Sequence, residues 1–444
     1  MGITSIASPL RLAVAVVAAG TFGLSSAALA DDSARIAALE AKLAQLETQQ
    51  TKAEISAAQG RAVDRAIADA DTKGRFMMAD GFVSGWDNGF KVGSADGDFL
   101  VQPFLEFQFR NVTNYTEELN GGDSDFENGF EYRRLKFGIR GNLFNKDFTY
   151  LFRLQTDRNG GEVTPDYAYA QYKFADDWAF RFGQYKLNWT REETTSDTKQ
   201  LAAERSLLNQ IVGGNQTSYV QGVSLLYGSK ENDFRGEVQL TDGDATANTD
   251  FTDQQEAGPY QNFGVAVRAE YKFMGDWEAY SDFTARKTEA DLLVVGGGVD
   301  WAQGGDGDIF RFTVDGQYEN TTGLGAYAGV IYTTADGDVT TDDEFIDQSI
   351  GAIAQVGYLL PNATDWEVFG RYDITQLDED FGDEDTFQEI TAGVNKYYYG
   401  HNAKLTIDAG WYPNGSPVSG GGLGLRGTGT EDQIVIRAQF QLVL

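Results

Sequence analysis

The sequence predicts an all-β fold, a sixteen-stranded antiparallel transmembrane β-barrel preceded by an N-terminal periplasmic α-helical coiled-coil segment. Three observations carry that expectation. The chain opens with an export signal, its composition is Gly- and aromatic-rich yet polar on average, and from about Gly81 its apolar residues recur at every second position.

Residues 1–30 have the anatomy of a secretory signal peptide. Arg11 precedes an apolar run from Leu12 to Leu24, and Ala28-Leu29-Ala30 forms a small-x-small cleavage pattern. Residues 31–73 are of a different kind. Ile36, Leu39, Leu43 and Leu46 follow the a/d spacing of a coiled coil, with Glu40, Lys42, Glu47 and Lys52 on the flanks. The seam weakens at Gln50, Ala53 and Ala57, so a lone amphipathic helix is the competing reading. Residues 74–98 read as a linker leading into the barrel, and 99–444 as the barrel itself.

Composition narrows the function classes. There are 52 Gly, 7 Pro and 13% aromatic residues, with a mean hydropathy of −0.37. In a barrel only alternate residues meet lipid, which halves the apparent hydrophobicity. With no cysteine in the chain, a disulfide framework and a His/Cys zinc site are both excluded. The one histidine, His401, sits in a turn, so an enzyme built on imidazole chemistry is not expected. A formal charge of −32 would repel phosphate backbones, which argues against nucleic-acid binding.

Alternation is clearest in four segments. Phe148, Tyr150, Phe152 and Leu154 alternate with Thr149, Leu151, Arg153 and Gln155. Similar stretches run from Val265 to Phe273, from Lys404 to Trp411 and from Ile434 to Leu444. Short connections (Asn142–Lys146, Ala175–Asp177, Gly228–Asn232, Pro361–Asp365, Tyr399–Asn402) separate from long ones (Thr113–Glu127, Asn188–Ser218, Asp242–Gln261, Ala335–Phe345, Gln376–Asp385, Pro413–Asp432). Short periplasmic turns and long outer loops are the habit of outer-membrane barrels. A first count finds seventeen strands, including Trp277 to Arg286. Tracing inward from periplasmic termini makes Gly275 to Ala290 a periplasmic connection, which leaves sixteen and an aqueous channel rather than a packed interior.

Parity then assigns side chains to faces. Leu135, Phe137 and Ile139 point to lipid, while Arg134, Lys136 and Arg140 point to the lumen, joined there by Arg153 and Arg181. Arg133 falls on the lipid side near the outer rim. The competing reading of this basic wall is that lumen arginines merely pair with nearby acids.

The stretches Glu131 to Gly141 (EYRRLKFGIRG) and Phe182 to Arg205 (FGQYKLNWTREETTSDTKQLAAER) resemble the phosphate-selective porin family, as does the opening Asp80 to Leu100. The resemblance implies a trimeric sixteen-stranded porin whose third outer loop folds inward. Where phosphate-binding members supply a lysine from that loop, this chain reads Arg191-Glu192-Glu193. Phosphate preference is therefore expected to be absent or weak. The loop Asn188 to Ser218 is placed opposite the basic wall, with Glu192, Glu193, Asp197 and Glu204 beside Lys199 and Arg205. Both signs of charge would then line the constriction, giving weak ion selectivity.

The expected function is passive diffusion of ions and small hydrophilic solutes across the outer membrane of a Gram-negative-type bacterium, with lipid and two sister copies as partners. The alternative is a structural protein that tethers the membrane to the cell wall through the coiled coil. No cofactor is expected. The acidic runs Asp336–Asp347 and Asp378–Asp385 could hold Ca²⁺ or Mg²⁺ through oxygen ligands, but solvated outer loops are the plainer reading.

Overall fold

In the computed structural model the described residues are 42, 77–79, 82–86, 89–117, 125–158, 160–250, 262–304, 307–336, 348–420 and 422–444. The expected signal peptide and nearly all of the expected coiled coil lie outside them, and so does most of the acidic run 336–347.

Three short strands come first: β1 (Met77–Ala79), β2 (Phe82–Trp86) and β3 (Phe90–Ser94). They pair in succession, and β3 joins the barrel through Val92 beside Val101 and Gly93 beside Leu100. The first half of the barrel is β4 (Leu100–Thr116), β5 (Asp125–Asn142), β6 (Phe148–Thr156), β7 (Val163–Ala175), β8 (Trp178–Lys186), β9 (Tyr219–Tyr227), β10 (Phe234–Thr241) and β11 (Phe263–Met274). The second half is β12 (Leu292–Gly304), β13 (Gly307–Glu319), β14 (Leu324–Asp336), β15 (Gln348–Leu360), β16 (Ala363–Phe381), β17 (Glu384–Tyr397), β18 (Ala403–Tyr412) and β19 (Gln433–Val443). Each strand pairs antiparallel with its sequence neighbour. The ring closes where β19 lies beside β4, from Gln433 opposite Thr116 to Val443 opposite Glu106. Closure matters because hydrocarbon offers no partner to an unpaired backbone amide, so a spanning sheet can have no open edge.

The sixteen barrel strands match the sequence expectation, including the demotion of Trp277 to Arg286. That segment belongs to a connection with two 3₁₀ turns, Ala279–Ser281 and Ala285–Lys287. Gly275 (φ 83°) takes the left-handed conformation that ends β11 and turns the chain inward.

Two of the expected long loops are mostly strand. β4 and β5 pair out to Thr116 and Asp125, so the Thr113–Glu127 connection is shorter than the composition implies. The Gln376–Asp385 connection is likewise an extended hairpin, closed tightly between Phe381 and Glu384 with Gly382 at φ 69°. Its Asp- and Glu-rich sequence reflects solvation of a protruding hairpin, not loop conformation. Among the described residues no group of three His, Asp or Glu side chains gathers in a way that could hold a metal ion.

Face assignment by parity holds over most of the wall. Phe137, Phe152, Phe180, Phe182, Tyr271, Ile434 and Ile436 are exposed on the outside, where lipid would meet them. Arg134, Lys136, Arg153, Arg268, Arg311, Arg371 and Arg437 are buried on the inside. Arg133 departs from the expectation. The register of β4 and β5 shifts between Gln108 and Phe109, so that Gln108 opposes Arg134 but Phe109 opposes Tyr132. Arg133 is the extra residue of that β-bulge, and the bulge re-aims it into the lumen beside Arg134. A second bulge, between Arg153 and Leu154, turns Asp166 inward in the same way.

The interior is not simply an aqueous bore. Residues 187–218 are almost continuously buried, and Tyr185, Leu187, Trp189, Leu201, Leu207, Leu208 and Ile211 form an apolar cluster with wall residues Tyr327, Ile353, Phe369, Phe387 and Tyr412. The expectation of an unpacked interior needs correcting on that side.

Candidate functional site: the lumen and its two inserts

Residues 187–218 contact the inner faces of strands all around the ring, which places them inside the barrel. Asn188 donates to Gln239 on β10, and Arg268 on β11 donates to the carbonyl of Trp189. Arg191 donates to Gln317 on β13 (3.1 Å). Asn395 on β17, Lys404 on β18 and Gln441 on β19 donate to the carbonyls of Leu201, Gln200 and Thr198. Glycines admit this close approach. A Cβ at Gly298 would collide with the carbonyl of Trp189, and one at Gly351 with the side chain of Leu208.

Three α-helical turns, Arg191–Thr194, Leu207–Ile211 and Gly214–Thr217, and one 3₁₀ turn, Asp197–Lys199, organise the insert. The Leu207–Ile211 turn is capped from outside itself. Ser206 Oγ accepts from the Asn209 amide, while Glu389 accepts from the Leu207 amide (2.7 Å) and Asp373 from the Leu208 amide (2.9 Å). Two wall carboxylates thus satisfy amides that a helix start leaves unpaired, and favour its positive end.

The charged residues expected on the insert are all brought inside, but they do not face the basic wall across open water. Glu204 receives Arg110 (3.1 Å), Arg133 (2.6 Å) and Arg134 (2.9 Å). Asp197 receives Arg134 (2.7 Å) and Lys136 (2.6 Å). Burial pushes both carboxyls up, but the surrounding cations outweigh it and hold Glu204 and Asp197 well below the ordinary range. Glu193 meets Lys186 at the end of β8 and, within the insert, Arg205 (3.2 Å) and Asn209. Glu192 accepts from the amide and hydroxyl of Ser206 and lies 3.9 Å from Arg371. Burial pushes Glu192 above its ordinary value. Arg205 also donates to the carbonyls of Glu192, Glu193 and Thr195, so it is an internal strut. The positive charge of Lys199 acts on Asp282 and His401. The insert's acids and the wall's cations therefore do not line the constriction as two opposed faces: Glu204 and Asp197 touch the wall cations directly, and Glu192 and Glu193 are held by Ser206 and by Lys186 and Arg205.

Of the expected basic wall, Arg153 and Arg181 lie apart from this clamp. Arg153 is bidentate to Asp166 (2.8 and 2.7 Å) and stacks on Tyr167, while Arg181 meets Glu237 (3.1 Å) and stacks on Tyr169. Arg140 is exposed near the short-turn end, over the Phe104 ring and beside Gln102.

A second insert, residues 275–290, enters from the short-turn end. Trp277 donates to the carbonyl of Asn232 (2.7 Å), Thr284 donates to Glu367 (2.7 Å), and Asp282 pairs with His401 (3.1 Å). It meets the first insert directly, since Arg191 donates to the carbonyls of Tyr280 and Asp282 and stacks on the Tyr280 ring at 3.9 Å. Between the two inserts and the β6–β11 wall lies a cavity of about 510 Å³, whose lining includes Arg153, Arg181, Lys186, Arg191, Arg235 and Trp277. Reasoning from sequence passed over Lys186, Arg235, Trp277 and Tyr280. Inward parity marked the first two, and the sixteen-residue span 275–290, long for a short-turn connection, marked the others.

A closed sixteen-stranded barrel with the long β8–β9 connection folded into its lumen is the architecture against which relatives can be judged. The family model for phosphate-selective porin O and P matches residues 108–346. The chain belongs to that porin family. As a porin it is an outer-membrane channel rather than an enzyme in family and fold. It is similar, at 23% identity over 289 residues (61% of this chain and 68% of the relative), to an uncharacterized protein of Aquifex aeolicus (strain VF5). Among solved structures it shares its fold with an anion-selective porin from Comamonas acidovorans (TM-score 0.54, 12% identity, 78% of this chain and 99% of that one). It also shares its fold with Pseudomonas putida OprB (TM-score 0.53, 9% identity, 78% and 94%) and with Salmonella typhi OmpF in complex with daunomycin (TM-score 0.52, 14% identity, 78% and 98%).

Proposed function

We propose that this porin conducts small hydrophilic anions through the lumen beside β6–β11, with the insert 187–218 as the constriction. The charge balance of the cavity carries the reading. Its lining holds Arg153, Arg181, Lys186, Arg191 and Arg235 against only Glu237 and Glu270. Of the insert's carboxylates, Glu204 and Asp197 are paired to Arg110, Arg133, Arg134 and Lys136, and Glu193 to Lys186 and Arg205; with Asp166 on Arg153 and Glu237 on Arg181, the positive excess of the lining lies at Arg191 and Arg235. Fixed positive charge in a narrow, partly dehydrated passage offsets the cost of stripping water from an anion and adds to it for a cation. This replaces the expected weak selectivity with a preference for anions, despite the chain's overall charge of −32, since distant loop charges are screened beyond about 10 Å at 0.1 M salt. The working unit in this reading is a homotrimer in outer-membrane lipid.

Purified protein in a planar bilayer tests it. Stepwise currents with a reversal potential on the anion side are expected under a KCl gradient, and Arg181→Gln should move that potential towards cations. Absence of current steps, or cation preference in the unaltered chain, would refute the proposal.

A further inference from the structure

The cations around the cavity differ in what they leave free. Arg153 is matched by Asp166, Arg181 by Glu237 and Lys186 by Glu193. Glu270, on the same lining, is taken by Arg268 (2.9 Å) and by the Tyr280 hydroxyl (3.0 Å). Two guanidiniums have no carboxylate within ion-pair distance among the described residues, Arg191 and Arg235. The N–H groups of Arg191 are spent on Gln317, Thr195 and two carbonyls, so its donors are used although it forms no ion pair. Arg235 has neither a hydrogen-bond acceptor nor an ion pair among the described residues, and its contact is the face of Trp277, 4.0 Å below. Both aromatic platforms, Trp277 and Tyr280, come from the insert 275–290. The insert thus props two guanidiniums that form no ion pair, with Glu270 opposite Arg235 as the nearest acid in register, at a cavity whose volume suits a small molecule.

We propose that this end of the cavity is a binding site for small aromatic monocarboxylates, with the carboxylate on the Arg235 guanidinium and the ring among the tyrosine faces. The proposal rests on the channel reading above and names the solute class that the channel would hold longest. A planar guanidinium with free donors matches a carboxylate in a two-point arrangement. Stacking on Trp277 fixes the plane of Arg235, so less freedom is lost when an anion docks. Tyr169, beside Arg181, and Tyr167 are partly exposed on the lining and offer the apolar surface that an aryl group needs. Glu237 and Glu270 remain in the lining and oppose a second negative charge. A singly charged aryl carboxylate is therefore favoured over a phosphate dianion.

The test uses the full chain in bilayers at fixed KCl, with benzoate, acetate, inorganic phosphate and benzyl alcohol as probes. Benzoate should reduce the open-channel current saturably and at lower concentration than acetate or phosphate, and benzyl alcohol should have no effect. Arg235→Gln should raise the half-blocking benzoate concentration about tenfold or more, the loss expected of one charge-assisted hydrogen-bonded contact. Arg235→Lys, which keeps charge but not the fork, should recover only part of it. Calorimetric titration of the detergent-solubilised protein with benzoate reads the same site whether or not current flows. Saturable heat that weakens in Arg235→Gln supports the site even if the channel reading fails. Stronger block by phosphate than by benzoate, equal benzoate affinity in Arg235→Gln, or normal KCl current with no benzoate response would overturn the site and leave the channel reading intact.

Discussion

Replacing Glu204 with Gln should loosen the constriction without unfolding the barrel. The Glu204 side chain, 2% exposed, is the convergence point of Arg110, Arg133 and Arg134 at 2.6–3.1 Å. Glutamine keeps the volume and one acceptor oxygen but presents an amide donor to guanidiniums that also only donate. Removing one partner of a buried ion pair costs about 3–5 kcal/mol, because the charge left behind is desolvated and uncompensated. Asp197 still holds Arg134, and Glu131 still holds Arg110 at 2.5 Å, so the lower end applies. About 3 kcal/mol corresponds to a rise of roughly two powers of ten in the population with the insert detached. The barrel's backbone ladder does not depend on this side chain and should survive. Single-channel recording reads the effect as more frequent closures and higher open-channel noise at a fixed voltage. Limited trypsin digestion reads it as new cleavage after Lys199 and Arg205. Asp383→Asn, at the exposed hairpin tip, is the control. If Glu204→Gln matched the wild type in noise and in cleavage, the clamp would not be what holds the insert.

Acid should leave the clamp in place. Glu204 and Asp197 are held below their ordinary values of 4.5 and 3.8, against the upward push of burial. Their contribution is thus complete above those ordinary values and is lost only as pH falls through the lower folded ones. Tryptic cleavage after Lys199 and Arg205 should be no greater after exposure to pH 5 than to pH 7 in the unaltered chain, and insert release between the two would contradict this account of the clamp. Gly298→Val should push the Trp189 backbone off the wall, an overpacking cost of about 1–3 kcal/mol, visible as altered conductance in a barrel that still resists SDS at room temperature. A chain lacking residues 31–73 is expected to keep its unit conductance, since the insert contacts described above all lie beyond residue 105; changed conductance would give that segment a part in the pore.

The period-two alternation was enough to place most lumen and lipid faces, because a strand's side chains must alternate wherever one face is wet and the other is not. It failed at Arg133, where one inserted residue resets the parity, and no residue type announces a bulge there. The long span Asn188–Ser218 marked itself as an insert by length alone. Its charge pairing was not legible, because whether Glu193 meets a wall arginine or Arg205 depends on how the insert turns at Arg191–Thr194 and Leu207–Ile211. Trp277 and Tyr280 read as ordinary strand aromatics until the strand count removed their strand, and only the fold shows them beneath Arg235 and Arg191.

The clamp also has a bearing on assembly. Glu204 grips β4 and β5, while neighbouring residues of the same insert hold strands near the other end of the chain. The Ala203 amide donates to Asp408 on β18, and Gln439 and Gln441 on β19 donate to the carbonyls of Ala203 and Thr198. The insert therefore bridges, from within, the one junction of the ring formed by strands remote in sequence, β4 and β19. Its anchors at Glu389, Asn395, Lys404, Asp408, Gln439 and Gln441 do not exist until β17 to β19 have been added. Docking of the insert can be completed only after the wall has closed, so a passage of the final bore cannot precede a sealed cylinder.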